Sequence, residues 1–166
     1  MEMTVTDSPT LSIRPITAED AEAAAALSIQ LGYEATPDEI RQRIERLATC
    51  TASQAAFVAC LTRPETPQAP EIVGWIEVAI TYHLQSEPFV LIGGLVVQNG
   101  HRGLGIGRRL CEHAENWTRS QGIRILRVTS RSTRLDAHRF YLRDGYVETK
   151  TSKVFEKVLA GDSSGG

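Results

Sequence analysis

The run Val97-Gln98-Asn99-Gly100-His101-Arg102-Gly103-Leu104-Gly105-Ile106-Gly107-Arg108-Arg109-Leu110 sets three alternating glycines between an apolar stretch and an amphipathic one. Glycine accepts positive φ and leaves room beside the main chain, so successive N–H groups can converge on an anion. A helix opening at the last glycine would add a partial positive charge of about half an electron. A Walker loop would close on Gly-Lys-Ser/Thr, whereas Gly107 is followed by Arg108 and Arg109. The dinucleotide fingerprint would need its third glycine where Arg108 or Leu110 stands. What remains is Arg-x-x-Gly-x-Gly, from Arg102 to Gly107. Alone it fits a phosphate cradle or a glycine-rich turn without a ligand.

Outward from this run the hydrophobic period assigns the elements. Phe89 to Val97 reads as a strand before the glycines, and Ile106, Leu110, Ala114 and Trp117 share one face of a helix that Gly122 ends. Ile123 to Thr129 follows as a strand, Asp136 to Arg143 as a short helix, and Tyr146 to Leu159 as a final strand or hairpin. Upstream, Ala55 to Leu61 and Ile72 to Tyr82 are strands separated by Arg63 to Pro70, whose three prolines exclude it from a sheet. His83 to Pro88 joins the second of these strands to Phe89. Pro37 opens a helix with Ile40, Ile44 and Leu47 on one face, and Thr17 caps an alanine-rich helix that reaches Leu31 and stops at Gly32. Leu11, Ile13 and Ile16 suggest a first strand.

The order β-α-α-β-β-β-α-β-α-β describes an α/β (α+β) domain: a mixed, mostly antiparallel central sheet flanked by helices, with one βαβ crossover at the glycines. We expect a single domain over residues 11–159, between disordered ends at 1–10 and 160–166.

Composition narrows the partners. The 166 residues carry a net charge of −2, with 23% charged residues of both signs interspersed, which provides no basic field for nucleic acid. Phe89 to Val97, the longest apolar stretch, is about half of the ~18 residues that suggest a membrane span, and Met1 to Thr10 lacks the regions of a signal peptide. A soluble, cytoplasmic protein with no membrane partner is expected. Cys50, Cys60 and Cys111 form neither a disulfide framework nor a metal-ligand cluster, so no metal is expected, and Cys60 and Cys111 read as small buried hydrophobes.

One step beyond the crossover lies Ala137-His138-Arg139-Phe140-Tyr141-Leu142-Arg143-Asp144-Gly145-Tyr146. It resembles the Ala-x-x-Phe-Tyr-x-x-x-Gly-Phe segment of the GNAT family of N-acetyltransferases, as Arg102 to Gly107 resembles that family's acyl-CoA pyrophosphate loop. The resemblance implies the GNAT acyl-CoA N-acyltransferase fold. It also implies acetyl transfer from acetyl-CoA, a cosubstrate, to a primary amine of a small molecule or peptide, without a covalent enzyme intermediate.

On that resemblance, main-chain groups of Arg102, Gly103, Leu104, Gly105, Ile106 and Gly107 hold the pyrophosphate, Leu95, Val96 and Val97 run beside the pantetheine arm, and a main-chain N–H near Val96 or Leu95 polarises the thioester carbonyl. Arg134 is a phosphate or pantetheine contact, and Tyr33, between the first two helices, a substrate contact. Tyr141 becomes the general acid: its phenol, with an ordinary pKa of about 10, stays protonated at neutral pH and can protonate a departing thiolate. The general base is displaced from its usual place. Many relatives carry a glutamate in the strand before the loop where this chain has Gly93, and Glu77 is the substitute. That departure keeps a non-catalytic acyl-CoA-binding or sensor domain as an alternative, beside a protein or peptide N-acetyltransferase. A homodimer carries over by analogy alone.

Overall fold

The computed structural model describes residues 8–101 and 104–161, which fall into two compact units, one ending at Thr129 and the other beginning at Ser130. Arg102 and Gly103 of the expected phosphate loop, and most of the two expected disordered ends, lie outside the described residues; Thr10 already opens the first strand.

The first unit holds β1 (Thr10–Pro15), α1 (Ala21–Gln30), α2 (Pro37–Ala48), β2 (Gln54–Thr62), β3 (Glu71–His83), β4 (Ser86–Val97), α3 (Ile106–Ser120) and β5 (Leu126–Val128). They form a five-stranded sheet in the order β1-β2-β3-β4-β5, antiparallel except for the parallel β4–β5 pair that α3 connects. The expected helix after Thr17 divides into a short 3-10 turn, Ala18–Asp20, and α1, because Asp20 turns back to accept the Thr17 N–H at 2.8 Å and an N–H from each of the two terminal guanidinium nitrogens of Arg14 at 2.8 Å. At α2, Thr36 Oγ1 accepts the Glu39 N–H while Glu39 Oε2 accepts the Thr36 N–H, a reciprocal cap with Pro37 in the first turn.

Alternation along the strands sorts the sheet into two faces. A Cβ on Gly74 would lie 3.2 Å from a Leu110 methyl, and the Phe57 ring meets His113 edge-on at 4.4 Å, so α3 covers the face of Phe57, Gly74 and Ile76. Ile76 and Leu110 are fully buried there, each contributing roughly 1.5–3 kcal/mol of burial. Trp75 and Glu77 point to the opposite face, which α2 approaches, because Arg43 of α2 acts on Glu77. Cys60 and Cys111 are buried, as expected. Among the described residues no helix is long and apolar enough to cross a membrane.

Three elements differ from the sequence reading. The expected His83–Pro88 loop shrinks because β3 and β4 run on until His83 pairs with Ser86, a register shift after Thr81 accommodating Pro88, which has no N–H to donate. The Ile123–Thr129 strand is regular only over Leu126–Val128, where it has β4 as a partner. The expected strand or hairpin over Tyr146–Leu159 is absent among the described residues. Its large apolar residues come as three adjacent pairs, Tyr146-Val147, Val154-Phe155 and Val158-Leu159, whose two members would point to opposite faces of a strand, and Val147, Val154, Phe155, Val158 and Leu159 are exposed.

The second unit contains α4 (Leu135–Arg143) and the chain that follows. Gly145, at φ +91°, closes α4, and the Tyr146 N–H returns to the Tyr141 carbonyl at 2.9 Å.

Candidate active site

Between β3 and β4 the register steps from Glu77↔Gly94 to Val78↔Ile92, leaving Gly93 as an unpaired bulge residue. The same place ends the β4–β5 ladder, whose last pair is Ile92↔Val128. From Gly93 to Val97, β4 therefore has β3 on one side and, among the described residues, no strand on the other. The Gln98 N–H donates to the Val73 carbonyl at 2.8 Å, so alternation turns Gly94 and Val96 toward β3 and leaves the main-chain groups of Leu95 and Val97 on the open edge. Of the three residues expected beside the pantetheine arm, Leu95 and Val97 thus present free-edge amides. Val96 commits its backbone to β3 and buries its side chain.

The chain leaves β4 toward α3 with the Asn99 N–H held by Gln30 Oε1 of α1 at 3.0 Å. Gly105 then takes φ +78°, a left-handed conformation that disfavours any other residue, and opens α3. Among the described residues no side chain caps this helix and its first turn carries no acid. Its first N–H groups, with those of Leu104 and Gly105 before them, are suited to an anion. Ile106 is buried and fixes the turn to the core, Leu104 is exposed, and Arg108 pairs with Glu112 at 3.4 Å.

Glu77 lies across the bulge. An added Cβ on Gly93 would stand 3.0 Å from Glu77 Oε1, and one on Gly94 would stand 2.7 Å from two carbons of the Trp75 ring. Burial pushes the Glu77 carboxyl above its ordinary range, and the positive charge of Arg43 pulls it partly back. Trp75 Nε1 is buried with no hydrogen-bond partner among the described residues. Arg43 and Trp75 are the residues that sequence reasoning missed. Arg43 carries no spacing signal, since it borders the apolar stripe of α2 as any solvated arginine does. The two-residue alternation of Trp75 with Glu77 was visible.

In the second unit, Tyr141 is half-buried and packs edge-on against Phe140 at 5.3 Å and Tyr146 at 5.4 Å. Arg134 begins α4, its carbonyl accepting the His138 N–H at 3.1 Å, and is exposed. Tyr33 follows the turn after α1 and is also exposed; its N–H donates to the Ser28 carbonyl. The structure therefore gathers Glu77, the Gly93–Gly94 bulge and the Leu95–Val97 edge into one place in the first unit. Tyr141 and Arg134 belong to the second.

A family model for the acetyltransferase (GNAT) family matches residues 23–146. The chain is similar to the aminoglycoside N(6')-acetyltransferase type 1 of Stenotrophomonas maltophilia, at 32% identity over 152 residues that span 89% of this chain and 94% of the relative. It is also similar to the aminoalkylphosphonate N-acetyltransferase of Salmonella typhimurium, at 29% identity over 85% of this chain and 88% of that one. Among solved structures, the aminoglycoside N-acetyltransferase AAC(6')-Iy in complex with CoA shares the fold with a TM-score of 0.77 and 19% identity, covering 93% of this chain and 99% of the other.

Proposed function

Because the chain belongs to the GNAT family and is an acetyl-CoA-dependent N-acetyltransferase, we propose that its acceptor is a small-molecule primary amine and that Glu77 and Tyr141 move the protons. The observation that carries the site assignment is the half-buried Glu77 carboxylate lying over the bulge where the amide edge of β4 opens. Two relatives matched over most of their length are named for small amines, an aminoglycoside and an aminoalkylphosphonate, and this favours a small molecule over a peptide.

The residues fit acetyl-CoA at two points. The amides of Leu104, Gly105, Ile106 and Gly107 suit its pyrophosphate, and the open edge at Leu95 and Val97 suits the amide-bearing pantetheine arm. Acetyl-CoA supplies the activated acetyl group as a thioester. Glu77 accepts a proton from the incoming ammonium, directly or through a water, so that the amine nitrogen can bond to the thioester carbon. The Leu95 amide donates to the carbonyl oxygen as negative charge gathers there. Tyr141 gives its phenolic proton to the sulfur as the carbon–sulfur bond breaks, and no enzyme residue is acylated.

The test is thiol release from acetyl-CoA across a panel containing a 2-aminoethyl phosphonate, an aminoglycoside, a polyamine and a lysine peptide. We expect release with at least one small amine, slowed about a hundredfold or more by Tyr141→Phe while acetyl-CoA still raises the melting temperature. Stabilisation by acetyl-CoA without release on any amine identifies an acyl-CoA sensor instead.

A further inference from the structure

We propose that Gly93 is a positioning residue: its missing side chain is the space in which Glu77, reaching across from β3, holds its carboxylate at the open edge of β4. The inference deepens the proposed role of Glu77 and rests on it. Neither Gly93 nor Gly94 has a positive φ, so the backbone at both positions is open to any L-residue. What glycine provides here is room. A Cβ at position 93 would sit 3.0 Å from Oε1 and 3.3 Å from both Cδ and Cγ of Glu77, so all three nearest atoms belong to that one side chain. The same addition at position 94 meets Trp75 carbons at 2.7 Å and Glu77 Oε1 only at 3.5 Å, an ordinary contact. The two glycines have separate duties: Gly94 admits the indole and Gly93 admits the carboxylate.

Gly93 is also the extra residue of the bulge, at the point where β4 parts from β5. A carboxylate there stands beside position 93, two residues along β4 before Leu95, the first residue whose amide turns to the open edge. The volume is therefore accessible from either strand. A long side chain on β3 fills it now, and a short acidic side chain on β4 at position 93 would enter it once Glu77 is removed. Aspartate suits this exchange, because its carboxyl carbon is bonded directly to the Cβ whose place lies beside Oε1.

The experiment compares Glu77→Ala, Gly93→Ala, Gly94→Ala and the exchange Glu77→Ala/Gly93→Asp. Each is followed by kcat/KM against pH on the best amine of the panel, by carbon-13 NMR titration of the side-chain carboxyls, and by melting with and without acetyl-CoA. Glu77→Ala is expected to lose at least a hundredfold in kcat/KM and a carboxyl resonance that titrates above the ordinary range. Gly93→Ala should lose about tenfold and shift both the acid limb and that resonance, whereas Gly94→Ala, which displaces the indole, should lower the melting temperature and leave the acid limb in place.

The exchange should recover at least tenfold over Glu77→Ala and restore a carboxyl with a raised titration. An exchange protein that melts normally and is stabilised by acetyl-CoA, yet is no more active than Glu77→Ala and shows no raised carboxyl, overturns the proposal. So does a Gly93→Ala protein whose acid limb and resonance match wild type. Full activity in Glu77→Ala removes the base assignment itself, a separate result that takes this inference with it.

Discussion

Glu77 works against the fold that holds it. Its carboxyl titrates above the ordinary range because burial disfavours the charged form more than Arg43 favours it. The folded chain thus retains a proton that the unfolded chain has already released. Stability falls as pH rises through that interval. Glu77→Gln should match wild type in melting temperature near pH 4 and exceed it near pH 8, while kcat/KM drops and its acid limb disappears. Thermal melts at the two pH values decide this, and equal differences at both would contradict it. Arg43→Gln should move the wild-type acid limb to higher pH, since it removes a positive charge that lowers the carboxyl. The sequence offered Glu77 through its alternation with apolar neighbours. The room that Gly93 makes for it depends on a bulge between two strands, which no single strand's pattern displays.

At the level of elements, β4 serves two partners in succession. Up to Ile92 it pairs with β5, and beyond the bulge the main-chain groups of Leu95 and Val97 have no strand to meet among the described residues. Hydrogen exchange should resolve this residue by residue. Acetyl-CoA is expected to slow exchange of the Leu95 and Val97 amides at least tenfold and to leave those of Gly94 and Val96, already turned toward β3, nearly unchanged. Uniform protection along the strand would contradict the pantetheine assignment. Gly105 makes a second element-level prediction: at φ +78°, Gly105→Ala should cost about 1–2 kcal/mol in the fold and weaken acetyl-CoA stabilisation. Most of these elements were legible in sequence because period, helix openings and glycine stops agreed, as Pro37 before Ile40, Ile44 and Leu47 and Gly122 after Trp117 illustrate. The length of β5 was not, because Ile123 to Thr129 is uniformly strand-like and only its pairing with β4 makes three residues regular. The stretch after Tyr146 had strand composition without strand periodicity.

For the molecule as a whole, acid sensitivity traces to Asp20. Its carboxylate is almost buried, and although burial alone would raise its pKa, the Arg14 guanidinium and the Thr17 N–H together hold it below the usual value. That stabilisation is complete above the unfolded value near pH 4 and is lost as pH falls through the folded one. Asp20→Asn should lower stability at neutral pH by about 2 kcal/mol, less than a fully buried pair would lose because the Arg14 side chain is 42% exposed, and the gap should narrow in acid. Denaturant titrations at pH 7 and pH 3 measure it. The unfinished edge of β4 has a different reach. A ligand that completes a sheet stabilises the protein it binds, by about 2.7 kcal/mol at a hundredfold excess over its dissociation constant. The resistance of this chain to proteolysis is therefore expected to rise with acetyl-CoA concentration, because a ligand that takes the place of the missing strand keeps the sheet closed to cleavage, and limited proteolysis across an acetyl-CoA titration measures it.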